Sequence, residues 1–368
     1  MNSKIDIDLN PQNLIKDKEE FKRFLAVITA MELYSLEPFK KMEKMVKDFE
    51  SLDQKYISKL PFNIEDRASK LKEAINHNQN LLNLVSKIYK PDPSFYEGID
   101  MDEMKNKRFE EEKYIYNVLT YIMRDWTFER KKEREECYNL IINEVLKYFP
   151  PNTDNSINYK ILIPGSGVNR LGYELCKYGF YIESNEYLFL NGIFTDFILK
   201  HAKKNEFSFC PNVDSFSNYY KEETVFRKYS FPDIDIDLEN DIKGKFKMNI
   251  GDFIDLYDNN NNYKNYFDCI ITCYFIDTGQ NIIRYIDIIY NILKKGGIWI
   301  NFGPLSYHWS EDKDYTSIDL PYDKLKEVIC NYGFKYINES FKTCIFGYID
   351  NYMYNNYSKC INFTVKKN

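Results

Sequence analysis

Ile161-Leu162-Ile163-Pro164-Gly165-Ser166-Gly167, followed by the helix-like run Arg170 to Tyr178, is the stretch on which the fold of this chain turns. A short apolar run that ends in Pro and Gly predicts a buried strand, and the run from Arg170 has helical composition. Strand, glycine turn and helix in that order let the backbone approach a ligand, while the helix offers unpaired N–H groups and the positive end of its dipole.

Working outward, a second short strand, Phe180 to Ser184, ends at Asn185 and Glu186, and Tyr187 to His201 reads as a helix. Strand-like runs recur at Phe246 to Ile250, Phe267 to Cys273 and Gly297 to Phe302, with a helix from Gln280 to Leu293 between the last two. Such alternation predicts an α/β unit with a mainly parallel sheet covered by helices on both faces. A polar, aromatic-rich insertion containing Phe231-Pro232-Asp233-Ile234-Asp235 occupies about 203–245. Upstream, Phe21, Phe24, Leu25, Ile28 and Met31 recur at helical spacing, and further amphipathic runs cover 39–60, 64–89, 101–126 and 131–148, broken at Pro91, Pro93 and Gly98. The expected division is an all-α extension, 1–150, and a sheet domain, 151–368.

Composition narrows the function. With 44% hydrophobic and 29% charged residues the chain is not wholly disordered. A net charge of −6 argues against binding driven by counterion release from nucleic acid. Met1 to Asn10 is acidic and lacks an apolar run, and no segment is long enough to span a bilayer, so an intracellular protein is expected, cytoplasmic with the nucleus as a second compartment and without a membrane partner. Eight cysteines (137, 176, 210, 269, 273, 330, 344 and 360) lack CxxC spacing and read as reduced, mostly buried thiols rather than a metal site.

The glycine turn alone suits dinucleotides, phosphates and S-adenosylmethionine, or is merely a tight connection. Glu186, about twenty residues on and at the end of the second strand, is placed to accept hydrogen bonds from ribose hydroxyls; a solvated carboxylate starting a helix is the plainer alternative. Gly251-Asp252-Phe253 pairs an acid with an aromatic ring that could meet an adenine, although Asp252 would equally cap a helix. A helix ending in Leu293-Lys294-Lys295-Gly296-Gly297 before an apolar strand fits a pattern common in class I methyltransferases, where the two glycines make the reversal. A nicotinamide enzyme fits less well, since a third loop glycine is not evident.

Taken together, Ile163 to Leu171, Ser184-Asn185-Glu186, Gly251-Asp252-Phe253, Phe275-Ile276-Asp277-Thr278 and Ile298 to His308 resemble the carnosine N-methyltransferase family. Arg124-Asp125-Trp126, Arg134 and Cys137-Tyr138 fit the same pattern, and the likeness runs from about Phe21 to the C-terminus. It implies a Rossmann-like class I methyltransferase with a mostly parallel seven-stranded sheet. It also implies S-adenosylmethionine as cofactor, S-adenosylhomocysteine as product, no metal, and a small peptide substrate such as carnosine, with histidine-containing proteins and a homodimer as further allowed partners.

Carried over by residue, the resemblance implies cofactor contacts from Arg124, Gly165, Gly167, Glu186, Asp252, Phe253 and Cys273, with Tyr121 standing where the family has glutamine. It implies substrate contacts from Asp277, His308 and Tyr357. Asn169 replaces the family's third loop glycine, and Asn tolerates left-handed backbone angles. Arg124 would meet the cofactor's methionine carboxylate and bring the helical extension over the site as a lid. Asp277 is the expected catalytic group, holding the imidazole proton so that the other ring nitrogen attacks; its alternative is an N-cap for the helix after Gln280. The rival functions are a protein-histidine or other small-molecule methyltransferase and a noncatalytic scaffold that binds the cofactor.

Overall fold

The computed structural model describes residues 4–9, 17–151, 159–345, 352–355 and 357–368. Among them the chain begins with a short strand, β1 (Ile5–Ile7), and then runs through helices α1 (Lys18–Glu32), α2 (Leu36–Glu50), α3 (Gln54–Ile57), α4 (Ile64–Tyr89), α5 (Met101–Trp126) and α6 (Lys131–Tyr148). Asp17, Asn63 and Asp100 start α1, α4 and α5 by accepting hydrogen bonds from first-turn amides.

The sheet region follows as β2 (Lys160–Pro164), α7 (Arg170–Cys176), β3 (Tyr181–Glu186), α8 (Phe189–His201), β4 (Phe207–Phe209), β5 (Tyr229–Phe231), β6 (Lys245–Ile250), α9 (Phe253–Tyr257), β7 (Phe267–Cys273), α10 (Ile282–Ile292), β8 (Leu293–Gly303), α11 (Tyr322–Asn331), β9 (Phe334–Ile345) and β10 (Tyr357–Lys367). The main sheet has the order β1-β6-β3-β2-β7-β8-β10-β9. Its first six strands are parallel, and β10 and β9 close it in antiparallel fashion. Chain order reverses at β2, so the C-terminal ends of β2, β3, β6 and β7 share one edge at the switch point, where ligands of open α/β sheets bind.

Alternation along the strands decides which helices cover which face. Ile161, Ile163, Ile182, Met248 and Ile271 share one buried cluster with Phe24, Leu82, Ile122, Trp126 and Ile141 from the upstream helices. Leu162, Ile270 and Trp299 point the other way and pack with Ile286, Ile289, Leu325 and Ile329 of α10 and α11. Helices therefore cover both faces, as the repeating pattern predicts. On α5 the buried positions Ile115, Val118, Leu119, Ile122 and Trp126 lie at helical spacing, each worth about 1.5–3 kcal/mol when removed from water.

Two expectations need correction. The sheet has eight strands rather than seven, and the upstream segment is not wholly helical, because Ile5–Ile7 pairs with Phe246–Met248 in parallel. The same core crosses residue 150, joining upstream helices to the strands. The insertion contains the antiparallel pair β4 and β5, fastened to α4 where Asn78 donates to the Cys210 carbonyl and accepts from its amide at 2.8 and 2.7 Å. Among the described residues no helix is long and apolar enough to cross a membrane. All eight cysteines are free thiols, with Cys330 exposed and Cys273 half-buried.

Candidate active site

Gly165 and Gly167 have φ of +63° and +57°, the left-handed conformation that disfavours side chains. A Cβ on Gly165 would come within 2.4 Å of Phe275, whereas above Gly167 nothing lies within 4 Å. The loop is thus packed on one glycine and open over the other. Asn169 takes the third left-handed position, φ 58°, at the start of α7, so the loop keeps its course without a third glycine.

Glu186 closes this loop from β3. Its Oε2 accepts the Gly167 amide at 2.9 Å, and its Oε1 accepts those of Tyr187 and Leu188 at 2.9 and 3.1 Å. Burial raises its pKa above the ordinary 4.5, and these backbone donors only partly offset that. Each carboxylate oxygen has two acceptor directions, so the hydrogen bonds to the loop still allow a ligand hydroxyl to be met. Asp252 caps α9, its Oδ1 accepting from Ile254 at 2.7 Å and Asp255 at 3.3 Å. Phe253 is buried beside Phe275, Tyr285 and Tyr257, with ring centroids 5.1 to 5.3 Å apart.

The end of α5 brings Tyr121 and Arg124 to the same edge. Burial and the neighbouring Glu186 carboxylate raise the Tyr121 pKa, and the Arg124 guanidinium lies 5.9 Å from its ring centroid. Arg124 donates from Nε and Nη2 to the Asp125 carboxylate at 2.6 and 3.0 Å. Burial opposes its charge, but Asp125 and Tyr138 outweigh this and hold its pKa well above the usual arginine value. A ligand carboxylate would therefore share or exchange the partner that Arg124 has here. Cys273, at the end of β7, places its Sγ 3.7 Å from that of Cys137 on α6. Beside these groups a cavity of 460 Å³ opens, lined among others by Arg124, Arg134, Cys137, Tyr138, Tyr274 and Cys344.

Asp277 lies in the turn after β7, in the segment whose Phe275 covers Gly165, and is only 3% exposed. Its Oδ2 accepts the Ser306 amide at 2.7 Å, and its backbone carbonyl accepts the His308 amide at 3.1 Å. It is not a helix cap, since Asn281 starts α10 by accepting from Ile283 and Arg284. The carboxylate instead ties two loops together and, among the described residues, leaves Oδ1 without a hydrogen bond. His308 is exposed beside it. Tyr357 is 65% exposed, opposite Ile345 in the β10–β9 ladder, and makes no hydrogen bond to Asp277 or His308.

One assembly was not legible in the sequence. Asp233, from the insertion, accepts hydrogen bonds from Arg134 of α6 and from Arg170 at the start of α7, the latter at 2.7 Å, and all three side chains are at most 6% exposed. Burial and the neighbouring Arg170 lower the Arg134 pKa, while Asp233 and Glu174 raise that of Arg170 against the effect of burial. Removing one partner from such a buried pair costs about 3–5 kcal/mol. In the sequence Arg134 and Arg170 stand in segments that carry the resemblance, whereas Asp233 is only an acid within the Phe-Pro-Asp-Ile-Asp run.

A family model described as carnosine N-methyltransferase matches residues 101–368. The carnosine N-methyltransferase of Mus musculus is 32% identical over 362 residues, covering 96% of this chain and 88% of the mouse protein. That of Schizosaccharomyces pombe is 28% identical over 346 residues, covering 88% of this chain and 90% of the yeast protein. The matched region holds the arginine-bearing α5, the glycine turn, Glu186 and the Asp277 loop on a parallel sheet covered by helices on both faces, so the chain belongs to the carnosine N-methyltransferase family and is a methyltransferase of the Rossmann-like class I fold.

Proposed function

We propose that this chain methylates an imidazole nitrogen of carnosine, or of a related histidine-containing peptide, using S-adenosylmethionine, so that carnosine becomes anserine. The names of the mouse and yeast relatives support the substrate class. The observation that carries the chemistry is Asp277, a buried carboxylate with one oxygen fixed by the Ser306 amide.

The residues present fit the cofactor. The open space above Gly167 admits a ligand close to the backbone. Glu186 is the acceptor for ribose hydroxyls, Asp252 and Phe253 form the wall for the base, and Tyr121, Arg124 and Cys273 hold the amino-acid end. When bound, S-adenosylmethionine supplies an electrophilic methyl group on a sulfonium sulfur.

Asp277 acts on the acceptor. A neutral imidazole carries a proton on one nitrogen and a lone pair on the other, and a carboxylate that accepts the N–H holds the lone pair outward. As the ring becomes cationic the same carboxylate, already fixed in a water-poor position, stabilises the growing charge. It then accepts the remaining ring proton and passes it to solvent. His308 orients the peptide at the rim.

The test is incubation with isotopically labelled cofactor and carnosine, homocarnosine or histidine-containing peptides, followed by mass spectrometry of the product. One labelled methyl on the imidazole is expected. Label on an amino group, or none on any of these acceptors, would refute the assignment.

A further inference from the structure

We propose that Asp233, in the insertion, is a positioning residue for the cofactor: through Arg134 and Arg170 it fixes the end of α5, and with it Arg124, above the glycine turn. The proposal rests on the reading that the cofactor lies at that turn.

A helix ends with carbonyls that have no partner within the helix, and such an end is mobile unless something else takes them. At the end of α5 every one from Met123 to Thr127 is taken. The Thr127 hydroxyl donates to the Met123 carbonyl at 2.6 Å. Arg134 donates from Nη1 to the carbonyls of Arg124 and Thr127 at 3.2 and 2.7 Å. Arg170 donates to that of Asp125 at 3.0 Å, and the Asp233 amide donates to that of Trp126 at 2.8 Å. The Trp126 indole N–H in turn reaches the Val168 carbonyl inside the glycine turn at 2.9 Å.

Two guanidinium groups facing a helix C-terminus suit its dipole but repel one another. Asp233 relieves that repulsion by taking one nitrogen of each on its two oxygens. Arg170 is also the first residue of α7, the helix that the glycine turn leads into, so the carboxylate joins three segments: the insertion, the end of α5 with α6, and the base of the turn. A contact meant only to hold the insertion down would not need to grip four carbonyls around Arg124.

The experiment uses the full chain. Binding of S-adenosylmethionine and S-adenosylhomocysteine is measured by calorimetry, and turnover with carnosine is measured at varied cofactor, for wild type, Asp233→Asn and Asp233→Glu. Asp233→Asn is expected to raise cofactor Kd and KM about tenfold, the loss expected for a charge-assisted bond, with kcat at saturating cofactor within about threefold. Asp233→Glu should recover part of the affinity. Glu222→Gln breaks the 2.6 Å ion pair with Arg67 elsewhere on the insertion and should lower Tm without moving cofactor KM. An unchanged Kd in Asp233→Asn, or an equal rise in KM in Glu222→Gln, overturns the proposal. Should Asp233→Asn fail to fold, Arg134→Lys keeps a cation near Asp233 but loses the planar fork; it should weaken cofactor binding, and wild-type affinity there would be equally fatal. A wild-type chain that binds neither compound would instead remove the cofactor reading, and this proposal with it.

Discussion

Glu186 and Asp277 are both buried carboxylates at the C-terminal edge of the sheet, yet their surroundings hold them differently. Glu186 gathers three backbone amides, two from the residues that follow it and one from Gly167, 19 residues upstream, and so fastens the glycine turn to β3. Asp277 takes one amide, from a loop almost thirty residues downstream, and keeps an oxygen in reserve. The first carboxylate is part of the framework that it serves. The second is held by the framework and directed at something else, which is the arrangement expected of a group that handles a substrate proton.

The contrast can be broken by substitution. The largest effect is expected for Asp277→Ala: kcat for imidazole methylation should fall about 10²–10³-fold, the range seen when a preorganised charge-stabilising group is lost. Cofactor Kd measured by calorimetry should stay within about twofold, because the Ser306 bond, worth about 1.5–3 kcal/mol to a charged acceptor, ties Asp277 to the downstream loop and not to the glycine turn. A matching loss of cofactor affinity would show that Asp277 belongs to the framework after all.

Glu186→Gln should do the reverse. Three amide donors then face a side chain with a single acceptor oxygen, so thermal unfolding should shift downward and cofactor affinity should fall about 10–100-fold. Acid sharpens the same point. Burial raises the Glu186 pKa above 4.5, so on lowering the pH the carboxylate is lost earlier than an ordinary glutamate would be. Cofactor affinity should therefore decline from a pH above 4.5, and titration calorimetry would show that midpoint moved or removed in Glu186→Gln.

The smallest effect belongs to the rim. His308 is exposed and joins Asp277 only through its backbone amide. His308→Ala should raise KM for carnosine about tenfold, as one lost hydrogen bond would. It should leave cofactor Kd and Tm unchanged; steady-state kinetics at saturating cofactor would separate these.

What could be read in the sequence depends on how local each feature is. The glycine turn was legible because left-handed backbone leaves a residue signature, and Asn169 could be recognised as a substitute for the same reason. Strands β2 and β7 were legible from the apolar runs Ile161-Leu162-Ile163 and Cys269-Ile270-Ile271 that burial on both faces favours, and β6 from the alternation of Phe246, Met248 and Ile250 with polar residues. Strand β1 was not: three residues with an acid in the middle carry too little pattern, and only β6 gives them meaning. Asp277 stood ambiguous beside Asn281, since both are capping residues ahead of one helix, and only the fold assigns the cap to Asn281. The Asp233 cluster escaped because nothing in the sequence links this one acid of the insertion to Arg134 and Arg170. Burial makes it a unit, and burial is a property of three distant segments together.

The pairing of Ile5 with Phe246 also orders events during synthesis. Strand β1 emerges long before its neighbour and must wait for it, and until the two meet the outer side of β6 has no sheet partner. A bare strand edge invites pairing with another chain. Residues 5–7 thus guard an edge as well as fill a place in the sheet, so trimming the chain ahead of the helices would remove a safeguard against self-association while leaving the chemistry's own residues untouched.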